Sequence, residues 1–196
     1  MSMRPAPVLS ILLTACFLVT SCKDAGSYKF DTVRFVVSGT NPPAAGPAPN
    51  IHIDTGTQVS GMLGGTVKTS KPYSIGIDYT DVTSTFAAVE FTHVTVTYAD
   101  GTNDPEAAAL KLPLRIQARP IEITNSGAGG RIVKTKLRGI SGKIPGAITR
   151  DMPFTLGLEG KLIKEDGSEI PFAIKLKYEV VTDKSTKRWG EVMQDR

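Results

Sequence analysis

Histidine is the side chain most often recruited as a general base beside a nucleophile, and this chain of 196 residues has two. His52 lies in Ile51-His52-Ile53-Asp54, where alternation turns it outward from a strand, and His93 lies where an apolar phase slips. A bulge can aim a side chain into a site, yet a bulge histidine more often has only a structural duty. Gly-x-Ser-x-Gly, the phosphate-binding Gly-x-x-x-x-Gly-Lys-Ser/Thr pattern and His-Glu-x-x-His are absent from the sequence. Gly127 to Gly130 precede no helix pattern that would aim amides at a phosphate. The expectation is a non-catalytic chain with no cofactor.

Oxygen ligands offer a second chemistry. Asp100, Thr102, Asp104 and Glu106 alternate after a strand, as in a calcium loop. Pro105 stands where the sharp turn of an EF-hand loop needs glycine, and the closing bidentate glutamate is missing. Asp104 is more economically a helix cap for Pro105 and the alanines after it, and Asp100-Gly101 a turn. No metal is expected.

Cations form the remaining constellation. Lys134, Lys136 and Arg138 alternate along one strand and Lys175 and Lys177 along another, while Lys111, Arg115 and Lys161 take outward positions on theirs. Neighbouring strands would merge them into one basic face, which Glu159 and Glu179 would dilute. From residue 110 onward the chain has 17 basic and 10 acidic groups, against 5 and 9 between residues 23 and 109. An anionic polymer or an envelope protein suits such a face. Nucleic acid does not, because no aromatic residues interleave the lysines for base stacking.

Arg4, the apolar run from Val8 to Val19 and the small residues after it have the order of an export signal. Val19-Thr20-Ser21-Cys22 resembles the lipobox of bacterial lipoproteins, in which the cysteine is cleaved before, lipidated and left as the new N-terminus. Cys16, after Leu13-Thr14-Ala15, is a second such site, but Cys22 leaves the longer apolar core of about twelve residues. The resemblance implies lipidation at Cys22, palmitate among its acyl chains, and a periplasm-facing protein held on a membrane of the cell envelope. Two or three acyl chains attach a protein effectively permanently. Cys16 and Cys22 are the only cysteines, so a fold after them must do without disulfides. From Val36 to Ile53, a strand, Asn-Pro, a proline-rich loop and another strand are similar to the opening of the sandwich lipoprotein that anchors type VI secretion machines. No later segment has a counterpart there, and no site residue is carried over.

The elements that must position these groups are strands. Val33, Phe35 and Val37 alternate with polar or small residues; so do Tyr73 to Tyr79, Leu110 to Ile116, Leu156 to Leu162, and Phe172 to Val180. Between Val89 and Tyr98 the phase slips, which predicts a β-bulge at Thr92 and His93. Glu165-Asp166-Gly167-Ser168 predicts a hairpin between the last two strands. The four prolines between Asn41 and Asn50 predict a stiff connection. The expected fold is all-β: an antiparallel β-sandwich of immunoglobulin-like or related Greek-key topology, with 8 to 9 strands and at most one short helix, near Asp104 to Ala109. The expected organisation is a signal peptide over 1–21, the lipidated cysteine and tether over 22–27, one domain over 28–182 and a polar tail over 183–196.

Overall fold

A computed structural model describes residues 26–41, 49–61, 64–81, 85–126 and 132–188. The described residues are all-β with one turn of helix, α1 (Pro105–Ala108). Its strands are β1 (Ser27–Asn41), β2 (Asn50–Asp54), β3 (Thr57–Ser60), β4 (Gly65–Thr69), β5 (Tyr73–Asp81), β6 (Phe86–Tyr98), β7 (Leu114–Gln117), β8 (Arg119–Ser126), β9 (Ile132–Ile148), β10 (Phe154–Lys164), β11 (Glu169–Asp183) and β12 (Thr186–Arg188). The described residues hold twelve strands in place of the expected 8 to 9, because alternation cannot show in strands of three to five residues such as β3, β4 and β12.

Contacts divide the chain into two compact units. Of the described residues, the smaller takes in 26–32, 57–61, 64–68 and 183–188. Within it the start of β1 pairs with β4 from Tyr28↔Gly65 to Asp31↔Lys68, and with β12 from Ser27↔Arg188 to Lys29↔Thr186. The β1–β4 ladder is parallel, a correction to the wholly antiparallel expectation. Tyr28 and Val67 are buried there, and Lys187 Nζ lies 5.6 Å from the Phe30 ring centroid. Thr186–Arg188 thus form a strand inside the segment expected as a polar tail, whereas Trp189 lies outside the described residues.

The larger unit, Val33–Gly56 with Thr69–Thr182, holds two sheets. One runs β1–β11–β10–β6–β7 and the other β2–β5–β9–β8. Ile75, Ile77, Ile140, Ile144 and Ile148 of the second sheet share one core with Phe91, Val96, Leu156, Leu158 and Leu176 of the first. β10 and β11 are antiparallel from Phe154↔Tyr178 to Ile163↔Glu169, and Gly167 turns the hairpin at φ 82°. Asp166 Oδ1 accepts from Ser168 N at 2.8 Å and from Ser168 Oγ at 2.6 Å, which closes that turn. The expected strand over Leu110 to Ile116 shrinks to β7, since Pro113 has no N–H to donate to a ladder. Leu110 and Leu112 still pack against the core from outside a ladder. β9 pairs with β8 over Ile132–Gly139 and with β5 over Arg138–Ile148.

The predicted bulge lies where the phase slips. His93 faces Glu159 and Phe91 faces Gly160, so Thr92 is the extra residue, and Thr92 and His93 are exposed in succession. Opposite it, a Cβ on Gly160 would collide with the Glu90 carbonyl oxygen and meet Phe172 Cζ at 3.0 Å. Glycine there lets the bulged backbone close in.

The chain passes from β9 in one sheet to β10 in the other through Thr149–Pro153, and each of its first three residues is pinned. Asp104, 1% exposed, caps α1 by accepting from Glu106 N at 2.9 Å. Its Oδ2 accepts from Thr149 N and Thr149 Oγ1, both at 2.8 Å, and from the Tyr98 hydroxyl. Tyr98 Oη in turn accepts from Thr149 N at 3.1 Å and Arg150 N at 3.0 Å. Arg150 lies over the Tyr98 ring at 5.0 Å and reaches Asp100 Oδ2 at 3.3 Å. Asp151 Oδ1 accepts from Tyr73 Oη at 2.7 Å while its Oδ2 pairs with Lys71 Nζ at 2.7 Å. Burial, with the Asp151 carboxylate beside it, pushes the Tyr73 hydroxyl up to about 12.

Burial alone would raise the Asp104 carboxyl, but the hydrogen bonds from Tyr98, Thr149 and Glu106 outweigh it and hold the group below the ordinary carboxylate range. Its contribution to stability is therefore complete above the unfolded value of about 3.9 and is lost as pH falls through the lower folded value. Asp104→Asn should cost about 2–4 kcal/mol in urea unfolding at pH 7 and flatten the fall in stability between about pH 5 and 2. An unchanged acid slope would show that Asp104 is not the group responsible. Gly160→Ala should lower stability by about 1–3 kcal/mol, read in the same experiment.

Candidate binding face

Strand alternation sends every second residue of β6, β10 and β11 away from the core. Register then sets these outward residues in rows. Thr97, Thr155 and Lys177 form one row, Thr95, Gly157 and Lys175 the next, and His93, Glu159 and Ala173 a third. The first two rows line an open groove of about 380 Å³. Glu179 stands at its rim, and buried Tyr98, Phe154 and Tyr178 lie at its base. A Cβ on Gly157 would meet Thr95 Oγ1 at 2.5 Å, so the missing side chain is what leaves the hollow open.

Charge differs sharply along this sheet. Lys161 Nζ is held by Glu90 at 3.3 Å and Glu169 at 2.8 Å, and those two carboxylates raise its pKa. Arg115 of β7 faces Glu90 in register. Lys175 and Lys177 have Gly157 and Thr155 across the ladder instead, and both are exposed. The Lys177 stem runs beside Gly39 of β1, 3.8 Å from where a Cβ would stand. Small neutral neighbours on both sides leave its ammonium free to meet a ligand from outside.

The eight cations of the expected basic face are not brought together. Lys175 and Lys177 adjoin; Lys161 and Arg115 share their sheet among carboxylates; Lys111 is exposed in the segment before β7. Lys134, Lys136 and Arg138 belong to β9 in the other sheet, opposite Thr124, Glu122 and Pro120. Arg138 pairs with Glu165 at 2.7 Å, and the side chains of Lys134 and Lys136 lie outside the described residues, as does Cys22. Thr95, Thr155 and Gly157 went unread because small neutral residues show no periodicity of charge.

The histidines are separated. His52 Nδ1 is 3.5 Å from Asp78 Oδ2, half-exposed on β2. Its ring lies over Gly76, its direct partner on β5, where a Cβ would collide with Nε2. An aromatic ring covering a strand glycine restores the contact that the glycine lacks. Lys143 pairs with Asp54 beside it, and hydrogen bonds from Lys143 and Gly56 lower the Asp54 carboxyl. His93 is exposed at the bulge. Asp100, Thr102, Asp104 and Glu106 do not converge: Asp100 Oδ1 accepts from Thr102 N at 2.9 Å and Oγ1 at 2.6 Å, while Asp104 is spent on the crossover. Among the described residues no group of three or more His, Cys, Asp or Glu is placed to hold a metal. No helix among them is long and apolar enough to cross a membrane.

The pairing of ring and glycine can be measured. Gly76→Ala should displace His52 and lose about 1 kcal/mol, and a double-mutant cycle with His52→Ala should recover part of it. Strict additivity would mean that the ring does not cover Gly76.

No family model and no curated protein matches the chain. The X-ray structure of Northeast Structural Genomics Consortium target SoR45 is similar over 77% of this chain and 86% of its own, at 12% identity with a TM-score of 0.26. A likeness that slight carries no argument.

Proposed function

We propose that this chain is a lipid-anchored, non-catalytic binding or assembly module of the bacterial cell envelope, built as a β-sandwich of immunoglobulin-like or related Greek-key topology. The sandwich reading is supported by the two sheets of the larger unit that share a core, and by two crossovers, β5 to β6 and β9 to β10. The strands these crossovers join pair with each other in both sheets, β5 with β9 and β6 with β10. The anchor reading rests on Val19-Thr20-Ser21-Cys22. Strand β1 begins at Ser27, and the few residues between span at most about 17 Å, which keeps the smaller unit near its membrane.

The observation that carries the binding role is the outward face of β6, β10 and β11, where Lys175 and Lys177 stand exposed opposite glycine and threonine, with Glu179 at the rim. An envelope protein or an anionic polymer is the partner such a face suits. A second reading, an immunity or inhibitor lipoprotein, is favoured by the four prolines between Asn41 and Asn50, since a stiff loop loses less entropy on binding.

Cys22→Ala should abolish labelling by a palmitate analogue and move the protein from the detergent phase to the aqueous phase. Persistence of label would overturn the anchor. In detergent-solubilised envelopes, Lys175→Glu with Lys177→Glu should release the partner. Release only on deleting residues 42–49 would favour the inhibitor reading instead.

A further inference from the structure

The groove over Gly157 has a composition that narrows its ligand. Two ammonium groups, at alternate positions on one strand, are about 7 Å apart at their Cα atoms. Within the groove's own lining Glu179 is the one carboxylate, which leaves that lining an excess of one positive charge, and Glu159 stands in the next row. The hydroxyls of Thr95 and Thr155 face the same space, and each can both donate and accept. Thr97 is committed elsewhere, donating to Asn103 Oδ1 at 2.8 Å. The volume is that of a small-molecule site, and the aromatic rings at its base are buried, so recognition must come from charge and hydroxyl contacts.

From this geometry we infer that the groove is a subsite for one acidic sugar unit, a hexuronate whose carboxylate meets Lys175 and Lys177 while its ring hydroxyls exchange hydrogen bonds with Thr95 and Thr155. One carboxylate matches the single excess charge. Neighbouring hydroxyls, both donors and acceptors, match the threonines in kind. Gly157 supplies the room, and any side chain there would close it. This inference specifies the anionic polymer of the proposed binding role as an acidic glycan, but it does not depend on the lipid.

The test uses the full chain in detergent, titrated with galacturonate dimer and followed by calorimetry and by amide shifts at Thr95, Gly157 and Lys175. Binding with shifts confined to these rows is expected, weakened about tenfold or more by Lys175→Gln or Lys177→Gln, as for loss of a charge-assisted hydrogen bond. Thr95→Ala with Gly157→Ala fills the hollow without touching a charge and should also abolish binding, with circular dichroism checking the fold. A neutral glucose dimer should not bind. Equal binding of the neutral dimer, of acetate alone or of inorganic phosphate overturns the acidic-sugar assignment, as does absence of binding at millimolar ligand. Because Cys22 plays no part in these titrations, failure here leaves acylation standing, and failure of acylation leaves the groove standing.

Discussion

A buried carboxylate governs this structure. Asp104 joins the end of β6, the single turn of α1 and the strap that leads from β9 into β10, so three separate stretches of backbone converge on two oxygen atoms. An ionised group removed from water is tolerable only when its lone pairs are filled, and here the hydroxyls of Tyr98 and Thr149 and the amides of Thr149 and Glu106 fill them. Once Thr149 is fixed, Arg150 and Asp151 follow it onto Tyr98 and Tyr73, and β10 must start at Phe154 opposite Tyr98. The register that aligns Thr155 with Thr97 and Gly157 with Thr95 is set from that end. The binding face is in this sense built from the opposite side of the sheet.

Around the same crossover the aromatic rings form a compact group. Phe154 stacks on Tyr178 at 5.0 Å and meets Phe35 edge-on at 5.3 Å, and Phe35 meets Tyr73 at 5.3 Å. Each tyrosine in the group keeps its hydroxyl satisfied: Tyr178 donates to the Ile51 carbonyl at 3.2 Å, tying edge strand β2 to the facing sheet. Burial pushes that hydroxyl up to about 12, so it remains a donor across the physiological range.

Much of this was legible in the residues because the relevant signals are local. The slip from Phe91 to Val94 requires an extra residue, and the structure has it at Thr92. Asp166-Gly167 demanded a turn with positive φ, and Asp104-Pro105 a capped helix start. The parallel approach of β1 to β4 was not legible, since strand direction depends on partners far along the chain. Which cations become neighbours was not legible for the same reason. Alternate lysines mark an outward face, but only the pairing of β10 with β6 and β11 shows that Lys161 falls between Glu90 and Glu169 while Lys175 falls beside a glycine. Asp104 was readable as a cap, whereas its bonds to Thr149 belong to the tertiary fold.

Strand β9 changes neighbours along its length, with β8 beside its first half and β5 beside its second. The second half contributes Ile140, Ile144 and Ile148 to the core. Opening of a ladder releases the amides that it pairs, so one continuous strand answers to two neighbours. Amide protons on either side of Arg138 then exchange with solvent through different events: the parting of β8 from β9 on one side, and the parting of β5 from β9 on the other.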